Sequence, residues 1–191
     1  MIVKVDDDAF VVSGKGNIGT TPLDFTYKAY LDLAKAPFVS AVQASLKADK
    51  GLRHSFGIDV DRFIDGAIPI DIDYKDTGKI ETVDIKGDLT PVSLNIDPIR
   101  YIKPVGKAGT VSTHVTIRNG EVESAEKLDV EVKGEGSFSG DLTFGKIGAV
   151  YDVTKGNFPR VTIGGKNDFS LNFRQSKPNY YEASIKGNVF D

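Results

Sequence analysis

Apolar side chains recur at every second position along most of this chain. Leu23, Phe25, Tyr27, Ala29 and Leu31 alternate with mostly polar neighbours. Ile68, Ile70, Ile72 and Tyr74 alternate with residues that include Asp71 and Asp73, and Val111, Thr113, Val115 and Ile117 repeat the pattern. Successive side chains of a strand point to opposite faces, so each such run specifies a strand with one apolar and one polar face. Turn chemistry separates the runs: Asp76-Thr77-Gly78 and Asn119-Gly120 are hairpin signals, and Ala36-Pro37 turns the chain between two strands. Strands in hairpin order imply a mainly β fold, an antiparallel meander of about ten to twelve strands.

The expected strands run Met1–Val5, Ala9–Ile18, Leu23–Leu31, Phe38–Leu46, Ile68–Tyr74, Ile80–Leu89, Val111–Ile117 and Val122–Val132. They continue through Phe138, Leu142 and Phe144, then Ile147–Val153, Phe158–Ile163, and Phe169 to Phe173. The last pairs across a turn at Gln175–Asn179 with Tyr181, Ala183, Ile185 and Val189. Between Thr90 and Pro104, three prolines interrupt Leu94, Ile96, Ile99, Tyr101 and Ile102, which reads as an apolar loop lying across a sheet end. Pro69 lacks an N–H, so its strand is expected at an edge or with one free side at its start.

The rhythm breaks once, between Leu46 and Tyr74. Leu52 and Phe56 have helical spacing, with Leu46 just before them, so a short amphipathic helix is expected over Lys47–Phe56, with Gly57 suited to a left-handed cap. Asp59 can cap a further turn over Val60–Ile64 that Gly66 ends. One or two short helices near residues 47–65 therefore mark the corner of the fold. A second recurrence is Lys-Gly followed by a polar residue, at Lys15-Gly16-Asn17, Lys86-Gly87-Asp88, Lys133-Gly134-Glu135 and Lys186-Gly187-Asn188. Glycine inside a strand often marks a bend or bulge; the recurrence is either chance in a Gly- and Lys-rich chain or a repeated bend that gives a curved trough.

Composition narrows the function classes. The 191 residues, 40% hydrophobic and 27% charged, fit one soluble β-rich unit spanning 1–191. A formal net charge of -3 offers no basic footprint for nucleic acid. The absence of cysteine removes disulfides and thiolate metal sites. No apolar run approaches the roughly 20 residues that span a bilayer. The start, Met1-Ile2-Val3-Lys4-Val5-Asp6-Asp7-Asp8, is not a signal peptide; it reads like a strand entered mid-stride, as in a piece excised from a longer protein.

Candidate chemistry is sparse. Asp6-Asp7-Asp8 has the ligands of a hard-cation site without the loop spacing, and a solvated turn explains it better. Asp71 and Asp73 are the best pair of carboxylates for acid–base work, as in a carbohydrate hydrolase, yet alternating acids on a solvent-facing strand are ordinary. His54 and His114 stand far apart with no zinc motif. Gly14-Lys15-Gly16-Asn17-Ile18-Gly19 precedes a strand rather than a helix, which excludes a dinucleotide fingerprint. The chain is therefore expected to be no enzyme and to need neither cofactor nor metal. The apolar face remains: Phe25, Tyr27, Ile68, Ile70, Ile72, Tyr74, Val83, Ile85, Val115, Ile117, Val130, Val132, Phe138, Leu142, Phe144, Phe169, Leu171, Phe173 and Ile185. These rows either meet a second layer in a closed core, which packing alone favours, or line an open groove suited to acyl chains.

The run Gly57-Ile58-Asp59-Val60-Asp61-Arg62-Phe63-Ile64-Asp65-Gly66-Ala67-Ile68-Pro69-Ile70 resembles the central region of YhdP-type proteins in the AsmA-like family. The likeness continues through Gly87-Asp88-Leu89-Thr90-Pro91 and Lys103-Pro104-Val105-Gly106. It closes on Ile185-Lys186-Gly187-Asn188-Val189-Phe190-Asp191, so it covers roughly Ala9 to Asp191. Departures are the lysine-rich composition and Phe63 in place of a frequent tyrosine. The resemblance implies a middle segment of a long Gram-negative envelope protein, anchored in the inner membrane by a helix outside this segment. It further implies a periplasmic, curled β-sheet whose apolar interior conducts phospholipid towards the outer membrane. Its partners would be phospholipid or another acyl-chain lipid and the remainder of the parent chain. A non-catalytic structural or protein-interaction module of the envelope is the competing expectation.

Overall fold

Alternation and hairpin chemistry build one long meander. The computed structural model describes residues 1–33, 36–56, 58, 60–61, 63–96, 101–147, 150–165, 167–178 and 180–189. Its first half contains β1 (Ile2–Val5), β2 (Ala9–Ile18), β3 (Thr21–Tyr30), β4 (Ser40–Ala48), α1 (Lys50–Ser55), β5 (Ile64–Asp65), β6 (Ile68–Asp76) and β7 (Glu81–Asp88). The second contains β8 (Ser93–Ile96), β9 (Tyr101–Lys103), β10 (Gly109–Arg118), β11 (Glu121–Val132), β12 (Gly136–Ile147), β13 (Val150–Ile163), β14 (Asn167–Lys177) and β15 (Tyr180–Val189). Twelve strands form one antiparallel sheet in sequence order, and β5, β8 and β9 form a separate three-stranded sheet. The large sheet is not closed into a barrel, so β1 and β15 are its edges.

The turns behave as their residues dictate. Asn119 and Gly120 both take positive φ, 54° and 76°, the twist a two-residue hairpin loop requires. The Asp76 carboxylate accepts from the Gly78 N–H at 2.6 Å, closing the next hairpin. Asp6 accepts from the N–H groups of Asp8 and Ala9, at 3.0 and 2.7 Å, so the acidic triplet is a turn.

The corner carries a cover. Asp49 caps α1, accepting from the Leu52 N–H at 2.8 Å. The helix is shorter than its spacing predicts because Lys47 and Ala48 stay in β4, paired with Pro69 and Ile68. Leu52 buries against Leu46 and Ala48. The small sheet follows: Val92, Leu94 and Leu89 pack with Ile68, Val130 and Val132, with Ile64, Tyr101 and Phe138 around them. A third cluster joins Phe158, Val161 and Phe169.

Several expectations change. The Thr90–Pro104 stretch is not simply a loop; its unbroken apolar pieces form β8 and β9, with Leu94 opposite Lys103. The two strands expected over 147–163 are one strand, β13, with register shifts near Pro159 and Thr154 that let the proline and an extra residue sit in the ladder. Of the two expectations for the Pro69 strand the edge one fails, since β6 is flanked by β4 and β7, and the other holds: the strand starts with one free side, because the β7 ladder begins only at Ile70. Asp59 and Gly57, the proposed caps, lie outside the described residues, while the Phe63 and Ile64 N–H groups do donate to the Val60 carbonyl in a single turn. The closed core that packing favoured is replaced by one sheet with a partial cover.

Bulges interrupt the ladders of the second half. β11 and β13 each carry a bulge, between Ala125 and Leu128 and between Phe158 and Val161, and these flank Gly140 of β12. Lys127 takes φ 51° inside the first bulge. Gly140 is buried, and a Cβ there would run into the Asn157 carbonyl and Phe158. Of the four Lys-Gly glycines, Gly16, Gly87 and Gly187 fall in one transverse row, whereas Gly134 is a turn residue at φ 74°.

Candidate functional site

In an antiparallel ladder directly paired residues share a face, so the register defines rows running across the strands. One row reads Val12, Tyr27, Val42, Tyr74, Val83, Val115, Ala125, Leu142, Gly156, Phe173 and Ala183. Val3 of β1 pairs with Val12, so the row crosses every strand of the large sheet, and it contains no charged residue. A parallel row reads Gly16, Leu23, Leu46, Ile70, Gly87, Val111, Val130, Phe138, Val161, Phe169 and Gly187. Phe25, Ile72 and Ile85 lie between them on β3, β6 and β7, as do Leu171 and Ile185 on β14 and β15. Ile68 and Val132 flank the second row, while Ile117 and Phe144 lie beyond the first. All nineteen sequence-derived candidates thus fall on one face.

They are not equivalent. α1 and the small sheet cover the second row near its middle, so Ile68, Val130 and Val132 are buried. Along the first row Tyr27, Val42, Tyr74, Val83, Val115, Leu142 and Phe173 stay half-buried, and Ile185 on the edge strand is 48% exposed. Each buried cluster joins neighbouring strands or the cover; none joins the β2–β4 end of the face to the β12–β15 end. The aromatic side chains form a ladder at one end. Phe138 meets Phe158 edge-on at 6.0 Å, Phe158 stacks on Phe173 at 6.4 Å, and Phe173 meets Tyr181 edge-on at 5.8 Å. The Phe173 ring lies over Gly156, its direct partner, filling space a side chain would need.

Two buried cations hold the cover. Arg53 donates from Nη1 to the Ala48 and Gly66 carbonyls, at 2.9 and 3.0 Å, and from Nη2 to Asp61 at 2.7 Å. With Lys50 and His54 also beside it, Asp61 is held down at about 2, chiefly by the Arg53 hydrogen bond. Lys103 is wholly buried, its ammonium donating to the carbonyls of Leu89 (2.6 Å), Val92 (2.7 Å) and Pro104 (3.2 Å). Burial lowers its pKa. Neither cation signals itself in the sequence, because each finds its partners through the cover's tertiary packing.

The opposite face is polar. Ser13, Thr26, Gln43, Asp73, Asp84 and His114 form one of its rows, and His114 pairs with Asp84 at 2.7 Å. Asp71 accepts from Ser45 at 2.5 Å, and Asp73 pairs with Lys75 at 3.2 Å. Two adjoining open grooves of about 1300 and 1040 Å³ share Lys15, Asp24, Ser45, Asp71, Lys86 and Ser112, all on this face. The sequence pattern gives no sign of concavity there. Among the described residues no group of three or more acidic or histidine side chains could hold a metal ion. Among the described residues no helix is long and apolar enough to cross a membrane. Comparison with family models, with curated proteins and with solved structures gives no match.

Proposed function

We propose that this chain is a lipid-binding segment of an AsmA-like periplasmic protein, whose apolar face takes phospholipid acyl chains and passes them between inner and outer membrane. One observation supports the reading above others: an uncharged apolar row crosses the large sheet, half-buried and covered on one flank only among the described residues. At about 4.8 Å per strand the row extends about 50 Å. A phospholipid acyl chain fills one leaflet, about half of a hydrocarbon layer roughly 30 Å thick. The row therefore holds several chains end to end, a length that suits passage better than storage of a single ligand. In this reading the segment supplies burial and no covalent chemistry, and the parent chain supplies the inner-membrane anchor.

Extraction of the purified chain followed by lipid mass spectrometry tests the proposal. Phospholipid is expected in the wild type and lost in Val83→Asp and Val115→Asp, paired neighbours in the uncovered row. Absence of phospholipid, together with unchanged envelope lipid flow when the parent protein is deleted, overturns it. The grooves on the polar face favour a second reading, a non-catalytic structural or protein-interaction module of the envelope. That reading gains if Lys86→Glu impairs the envelope while Val83→Asp does not.

A further inference from the structure

The aromatic ladder ends on a polar group that the apolar face does not need. Asp152 accepts from Tyr181 Oη at 3.1 Å, from Gln175 Nε2 at 3.3 Å, and through its other oxygen from the Val153 N–H at 2.7 Å. Gln175 sits directly opposite Tyr181 on the edge strand and is only 8% exposed. Its Oε1 is buried with no hydrogen-bond partner. A buried acceptor left unpaired has given up its water without gaining a partner, so such an atom marks a place where a donor belongs. Among the described residues no lysine, arginine or histidine nitrogen comes within ion-pair distance of Asp152.

We propose that Asp152 and Gln175 form a headgroup site at the β13–β15 end of the apolar row, and that it takes the primary ammonium of an amphiphile. The inference rests on the acyl-chain reading above and adds a head to the chain. Both oxygens available to a ligand are acceptors, one of them anionic, so the complementary group is a cation with several N–H donors. A carboxylate head would meet only repulsion. Access lies past Tyr181, which is 43% exposed on the edge strand. The amphiphile's chain then runs along Phe173 and Phe158 into the uncovered row, and the polar end fixes its direction.

Fluorescence of diphenylhexatriene bound to the full chain reads the apolar row, and its displacement by dodecylamine or dodecanoic acid reads the head. Dodecylamine is expected to displace the dye at about a tenfold lower concentration, as one charge-assisted hydrogen bond would give. Asp152→Asn should bring the two probes to parity, while Gln175→Glu, nearly isosteric, should keep or widen the preference. Equal displacement in the wild type, or a preference that survives Asp152→Asn, overturns the headgroup site. Failure of the dye to bind overturns the acyl-chain reading instead. In that case the Gln175 side-chain amide resonances on addition of ethylamine decide the site alone, and no shift there refutes it.

Discussion

Replacing Lys103 with Met keeps the length of the side chain and removes its ammonium, which isolates what the charge does inside the cover. Three carbonyls lose a donor, but not equally. Leu89 O still accepts from the Val92 N–H at 3.2 Å, and Pro104 O from the Lys107 N–H at 3.4 Å. Val92 O keeps no hydrogen bond among those described, and Val92 is fully buried. An orphaned buried acceptor costs about 1–3 kcal/mol, and weakening the other two adds to it. Against this, Met no longer has to bring an ammonium out of water, a saving of several kcal/mol in principle. Lys103 already recovers most of that cost through two short charge-assisted bonds, so the net loss is about 2–3 kcal/mol. With a urea m-value of about 1–3 kcal/mol/M, the unfolding midpoint should fall by about 1 M. The pH dependence supplies an independent check. Burial lowers the folded pKa of Lys103, so the unfolded chain holds its proton to higher pH and this group adds stability as pH rises towards about 10.4. Tyr74 and Tyr101, both raised to about 12 mainly by burial, act oppositely above about pH 10, where the unfolded chain loses their protons first. The difference between wild type and Lys103→Met cancels the tyrosines and should narrow as pH falls below the ordinary lysine range of about 10.4. A variant as stable as wild type at pH 7 refutes the carbonyl-cluster argument.

Asp61→Asn should remove an acid step in the stability of the corner. The folded carboxylate titrates near 2 against an ordinary 3.8, so its contribution is complete above about pH 4 and disappears towards pH 2. Amide exchange of α1 across that range checks it. Arg53→Met should cost about 1–3 kcal/mol, because the Ala48 and Gly66 carbonyls lose a buried donor while Asp61 keeps Lys50 and His54; denaturant unfolding measures this. Gly140→Ala should cost about 3 kcal/mol or prevent folding, because Asn157 and Phe158 occupy the methyl's place; Gly19→Ala, in open space, should cost only the strain of its φ of 58°.

What the sequence makes legible is whatever its local period controls. Tyr27, Tyr74 and Val83 are readable as one face because alternation is a two-residue property, and the turns at Gly78 and Asn119-Gly120 fix which strands meet. The cover is not readable that way. Strands as short as β8 and β9 carry too few alternations, and prolines 91, 98 and 104 mask them; packing of Leu94 and Val92 onto Ile68 and Val130 makes them strands. Bulges hide for a related reason: Phe158 and Val161 are three apart yet share a face, whereas strict alternation puts them on opposite faces. The Asp152, Gln175 and Tyr181 group draws on three strands, and only the register brings it together.

Because the large sheet keeps sequence order, strand-to-strand contact is almost wholly between chain neighbours. Its stability is then close to a sum of nearest-neighbour terms, as in a linear array of repeats, and fraying can begin at either edge without touching the middle. The cover breaks that pattern. By packing on β4, β6 and β11 together, α1 and the small sheet couple strands that otherwise sense one another only through those between them. An edge strand can therefore exchange partners while the centre holds its register, so the sheet behaves as a rigid clasp with two extensible ends.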